Sequence, residues 1–136
     1  MDSPKTIGER SEGMVLAALL RAGKVVLQPF GDNQRYDLVI DEDGTFVRVQ
    51  CKTARWRREG ESFQFDSCSS QVHRGQGKRG YRGQADVFGV YFPVTDTVYL
   101  VPVDDVGTNL VVLRVAAPKN GQKKGVRMAA DYRLGA

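Results

Sequence analysis

Apolar and polar positions along this chain follow two periods, and the first is helical. Val15, Leu16, Leu19 and Leu20 recur at helix spacing. Thr6 and Glu9 fit a capping box, and Gly23 stands where a left-handed residue closes a helix. The pattern predicts a helix over residues 6–22. From there the period shortens. Residues 24–28 (KVVLQ) read as a short strand ended by Pro29. Residues 36–40 (YDLVI) and 46–49 (FVRV) flank Glu42-Asp43-Gly44, which predicts a hairpin. Phe63-Gln64-Phe65 alternates as a brief strand. Residues 86–92 (DVFGVYF) and 98–103 (VYLVPV) read as strong strands joined by a turn with Pro93 and Asp96. Residues 106–115 fit either a helix start or an edge strand. One helix followed by several strands predicts an α/β or α+β fold with a mixed central sheet, in a single domain over residues 1–136.

The hairpin carries polar residues where a buried strand has little use for them. Asp37 lies near the start of its first strand. Gln50 and Lys52 are two apart on the second, so both leave the same face. On the helix, Glu12 precedes Val15, Leu16 and Leu19 by three, four and seven positions, which places it on the inward face. A carboxylate there is costly unless it is partnered or holds a cation. The plainer readings are a helix-start glutamate favoured by the dipole and a cross-strand Asp37–Lys52 ion pair. Asp41, Glu42 and Asp43 also cluster, but as a solvated turn.

Charge is uneven along the chain. Residues 1–52 sum to −1, 53–84 to +4, 85–113 to −4 and 114–136 to +5, within a net charge of +4. A basic loop over 67–84 and a basic tail over 114–136 suit a polyanion lying over the hairpin and beyond it, or are two solvated, partly mobile segments. With one histidine, His73, and two cysteines, Cys51 and Cys68, without metal-site spacing, zinc chemistry built on several histidines is excluded. No apolar run is long enough to cross a membrane, so no membrane partner is expected. The first ten residues lack a signal peptide's apolar centre, and a cytoplasmic, nucleoid-associated setting is expected.

Asp37, Gln50, Glu12 and Lys52 together suit metal-dependent phosphodiester hydrolysis. Mg²⁺ takes hard oxygen ligands and one or two protein carboxylates, with Mn²⁺ as a substitute. Asp37 offers a carboxylate, Gln50 a neutral carbonyl oxygen and Glu12 a second carboxylate, while Lys52 can orient a water or meet developing negative charge.

A helix glutamate, then an aspartate, then a strand ending Gln-x-Lys resembles the PD-(D/E)XK nuclease superfamily. The intervals from Asp37 to Gln50 and from Glu12 to Gly23 are similar to those of archaeal Holliday junction resolvases. The strings RYDLVID, VRVQCKTAR and DVFGVYF look closer to group I intron-associated, homing-type endonucleases, some of which carry Gln-x-Lys. The resemblance covers roughly residues 7–103. It implies a restriction-endonuclease-like core, a mixed sheet flanked by helices, and Mg²⁺-dependent cleavage of double-stranded DNA. Asp37 and Gln50 would be ligands, Glu12 an accessory carboxylate and Lys52 catalytic. Two positions depart from the family pattern. Tyr36 replaces its proline, whose role is conformational, and Gln50 replaces a glutamate, which removes one negative charge from the site.

Around this core, Arg35, Arg55, Arg57, Arg58, Arg74, Lys78, Arg79 and Arg82 are candidate DNA contacts. Trp56 either stacks on a base or packs in the core or a dimer contact. Cutting both strands suggests a homodimer or a dimer of dimers on duplex or branched DNA. A Holliday junction resolvase with the same chemistry is the alternative, and a catalytically inactive DNA-binding module is the reading from another class.

Overall fold

The structure, a computed structural model, describes residues 2–70 and 78–135. Helix α1 spans Pro4–Arg21 and begins earlier than the capping-box pattern implies. Ser3 is the N-cap, accepting from the Thr6 amide at 3.2 Å, and Pro4 supplies a helix-ready φ at N1. Glu9 is exposed within the helix. Gly23 closes the helix with φ 79°. The buried stripe runs through Ser11, Val15 and Leu19, which leaves Leu20 56% exposed rather than in the core.

Among the described residues ten strands follow: β1 Val25–Leu27, β2 Leu38–Glu42, β3 Thr45–Thr53, β4 Arg55–Arg58, β5 Ser62–Asp66, β6 Cys68–Ser70, β7 Lys78–Gly80, β8 Val87–Phe92, β9 Thr97–Pro102 and β10 Leu110–Arg114. The central sheet is mixed, in the order β1-β2-β3-β8-β9, with β3 and β8 parallel and the other pairs antiparallel. A second sheet runs β10-β5-β4, and β6 pairs with β7. The predicted hairpin is present. Asp43 and Gly44 both take positive φ at its turn, and Asp41 accepts the Gly44 amide at 2.7 Å. Glu42 pairs with Lys24 at 2.9 Å, so the acidic turn is spent on the turn itself. The open alternative over 106–115 resolves as strand β10.

Strand β8 shows why the layers stack as they do. Val87 and Tyr91 face the cluster built on Val15 and Leu19 of α1, whereas Phe88, Val90 and Phe92 face Phe63, Phe65, Val111 and Leu113 of the second sheet. Burial on both faces explains its unbroken apolar run. Gly89 lies under the helix, where an added Cβ would sit 2.8 Å from Val15 Cγ1 and 2.9 Å from Val49 Cγ1. Among the described residues one α-helix covers one face of the central sheet, and the small sheet covers the other. The mixed-sheet, restriction-endonuclease-like core is the one expected.

The C-terminal segment is folded down. The Arg114 amide donates to Arg127 O at 2.8 Å, Ala129 is buried, and Leu134 N bonds Val98 O at 3.0 Å.

Candidate active site

Strand alternation decides which side chains of β3 meet. Val47, Val49 and Cys51 pack towards α1, so Arg48, Gln50 and Lys52 leave by the other face. Asp37 stands one residue before β2. Its own amide bonds Val49 O at 2.8 Å, and its carboxylate accepts the Cys51 amide at 2.9 Å. The head of β2 is thereby tied to the Gln50–Lys52 end of β3 by a backbone bond and a side-chain bond.

Glu12 reaches the same place from α1. It lines, with Asp37, a cleft of about 280 Å³ whose far wall is the 28–34 loop. A hydrogen bond between the Ser11 and Thr53 hydroxyls pins this turn of the helix to the end of β3. Burial raises the Glu12 pKa above the ordinary carboxylate value, and the neighbouring charges of Asp37 and Glu9 raise it further. Burial also raises that of Asp37, against the opposing pull of the Cys51 N–H and the Lys52 ammonium. Two carboxylates that would each relax towards ordinary values beside a cation face one cleft. This donor set is hard and oxygen-rich and fits a divalent ion such as Mg²⁺ or Mn²⁺. Gln50 donates from Nε2 to Cys51 O at 3.4 Å, and its Oε1 has no protein donor among the described residues.

Lys52 is held from behind. Its Nζ donates to Cys68 O and to the Tyr81 hydroxyl, each at 3.3 Å, and lies 4.7 Å from the Tyr81 ring centroid. The Arg35 guanidinium also lies over that ring, at 4.1 Å, while donating to the carbonyls of Gly80 and Arg79 at 3.0 and 3.3 Å. Arg35 is therefore turned inward, bracing β7 against the hairpin rather than reaching for solvent. The sequence pointed to Tyr81 only as part of the basic 67–84 loop, not as a partner of Lys52. Its signal was a lone aromatic inside a glycine-rich polar stretch, and it is 5% exposed.

The other candidates lie apart from this cluster. Trp56 packs edge-on against Phe92 at 4.9 Å, the core placement of its two readings. Arg55 pairs with Asp66 at 3.4 Å, Arg57 bonds Gln64 at 3.1 Å, and Arg58 meets Glu61 at 3.4 Å. Arg82 donates to Val106 O at 3.1 Å, and Arg79 is exposed. His73 and Arg74 lie outside the described residues, as does the side chain of Lys78. A second interaction unseen in the sequence is the forked Arg48–Asp86 pair. Asp86 takes Arg48 Nε and Nη2 at 3.0 Å and its amide at 2.7 Å, tying β3 to the start of β8.

Comparison with known proteins decides the family. The family described as PD-(D/E)XK endonuclease matches residues 2–135. The chain belongs to it. The match takes in the C-terminal segment, beyond the stretch on which the motif resemblance rested. Among solved structures the chain is similar to a bacterial homing endonuclease, I-Ssp6803I, at 26% identity and a TM-score of 0.68, covering 98% of this chain and 88% of that one. No curated protein sequence matches. The protein is a metal-dependent PD-(D/E)XK endonuclease with DNA as its substrate.

Proposed function

We propose that this endonuclease cuts double-stranded DNA with Mg²⁺ at the Asp37 cluster, as a homing-type enzyme working as a homodimer or dimer of dimers. The observation that carries the assignment of the site is the meeting of Asp37, Glu12 and Lys52: two carboxylates with raised pKa share a cleft, and an ammonium held by Tyr81 stands beside Asp37.

Asp37 and the Gln50 carbonyl oxygen would hold the ion in this reading, with Glu12 contributing directly or through water. A bound divalent ion would supply polarisation of the scissile phosphate and a lowered pKa for the attacking water. Lys52 orients that water and meets negative charge developing on the phosphoryl oxygens. Tyr81 and Cys68 O keep its ammonium from swinging away. Gln50 in place of glutamate leaves the site with fewer formal charges, which weakens ion binding without removing an oxygen donor. The similarity to a homing endonuclease supports a long duplex target.

Cleavage of supercoiled plasmid and of a synthetic four-way junction, in Mg²⁺ or Mn²⁺ against EDTA, tests this. Metal-dependent cutting of duplex, lost in both Asp37→Ala and Lys52→Ala, is the expected result. Preference for the junction over its linear arms transfers the enzyme to the structure-specific class. Cutting that survives both substitutions removes the assigned site.

A further inference from the structure

A cleft of about 750 Å³ lies away from Asp37 on the second sheet. Its walls come from β4, β10 and the C-terminal segment. Arg57, Arg58, Arg114, Lys119 and Arg127 line it against a single carboxylate, Glu61.

Three features separate it from an ordinary solvated surface. First, its guanidiniums are positioned by neutral acceptors. Arg57 bonds the Gln64 amide oxygen at 3.1 Å, Arg114 the Ala116 carbonyl at 2.9 Å and Arg127 the Asp105 carbonyl at 2.8 Å. Each is oriented by a neutral group, and among the described residues Arg58 is the one of the five that meets a carboxylate. Second, the strand register shifts between Trp56 and Arg58, and the consecutive Arg57 and Arg58 both line the cleft. Regular alternation would have sent one of them inward beside Trp56. Third, the basic tail is built into the wall. Arg127 O accepts the Arg114 amide at 2.8 Å, and Arg114 bridges Met128 in parallel.

The cleft is also continuous with the candidate active site along the chain. Only Ala54 separates β3 from β4, so Arg57 lies within about 17 Å of Lys52 along extended backbone. A polyanion occupying one site has its next stretch within reach of the other.

We propose that this cleft binds the phosphate backbone of duplex DNA beside the cut site, with the C-terminal segment as its far wall. The proposal rests on the DNA-endonuclease reading above. It assigns the cleft a role in affinity and footprint, not in chemistry. Its five cations compare with the single lysine of the catalytic cluster, so this cleft contributes more to salt-dependent binding than the cut site does.

The test is binding of a long random-sequence duplex by the full chain across a series of salt concentrations. The triple variant Arg57→Gln, Arg58→Gln, Lys119→Gln removes three exposed cleft cations. A second triple variant, Lys5→Gln, Arg21→Gln, Arg133→Gln, makes the same change in net charge elsewhere. Each cation that meets a phosphate contributes about 0.9 to the slope of log affinity against log salt. The cleft variant is expected to lose about two to three units of slope and bind at least tenfold more weakly at low salt. The control variant should stay close to wild type. Equal losses in the two triple variants, or none in either, overturn the cleft while leaving the nuclease reading intact. Wild type that binds no duplex overturns both.

Discussion

The acidic cleft at Asp37 and the basic cleft behind β4 are both polar sites on one short chain, yet they are built on opposite terms. At the first, two carboxylates are half-buried and raised in pKa by the burial. At the second, most cations sit at the surface and are aimed by neutral partners. Chemistry needs few charges whose environment makes them reactive, and the folded protein carries that as a cost. Holding a polyanion needs many charges that cost little while empty.

The largest expected effect breaks the two clefts apart. Lys52→Ala or Asp37→Asn should lower cleavage by about 10²-fold or more, the scale of losing one charge-stabilising group. Non-specific duplex affinity should change less than twofold. The same contrast has a stability side. Glu12 and Asp37 have native pKa values above their ordinary ones, so the folded protein binds more protons across that window. Metal-free stability should therefore fall as pH rises through the window. Glu12→Gln should flatten that fall and melt higher than wild type at neutral pH. A lower melting temperature there means that the carboxylate is structural.

The next effect concerns the seat of Glu12. Gly89→Val drives two methyl groups towards Val15 and Val49, where even a Cβ is too close. Overpacking of this kind costs about 1–3 kcal/mol, read by denaturant unfolding. Because α1 must lift, cleavage should fall further than duplex binding does.

Smaller again is Tyr81→Phe, which keeps the ring under Arg35 and removes the hydroxyl that takes Lys52. The loss of one such hydrogen bond is worth about 1 kcal/mol, so cleavage should drop several-fold with binding unchanged. Tyr81→Ala, which also frees Arg35, should cost more. Equal rates for Phe and wild type remove the hydroxyl from the account.

The smallest effect lies outside both clefts. Arg48 depresses the pKa of Asp86, so their pair stabilises the fold above the ordinary carboxylate range, and this contribution is lost as pH falls through the depressed value. With the Asp86 side chain 41% exposed, solvent screening keeps it small. Asp86→Asn should remove a small part of the acid-side fall in melting temperature.

Residues that act through periodicity were legible in the sequence. The hairpin, the helix-closing Gly23 and the shared face of Gln50 and Lys52 follow from spacing and turn chemistry, and β8 showed as a strand by its unbroken apolar run. The helix start was misplaced because Ser3-Pro4 and Thr6 both offer caps, and the proline decides between them. Tyr81 and Arg35 were harder. Their contact joins residues far apart in sequence through a stretch without periodic pattern, and a stacked guanidinium looks the same as a free one in the sequence. The basic cleft was half legible. Two blocks of positive charge were plain, but their meeting depends on Arg114 pairing its backbone with Arg127.

The most direct test of the central claim is calorimetric titration of the metal-free protein with Mn²⁺, wild type beside Asp37→Ala and the triple cleft variant. The account predicts saturable uptake by wild type and by the cleft variant, and its loss in Asp37→Ala. Uptake by Asp37→Ala equal to that of wild type would contradict it.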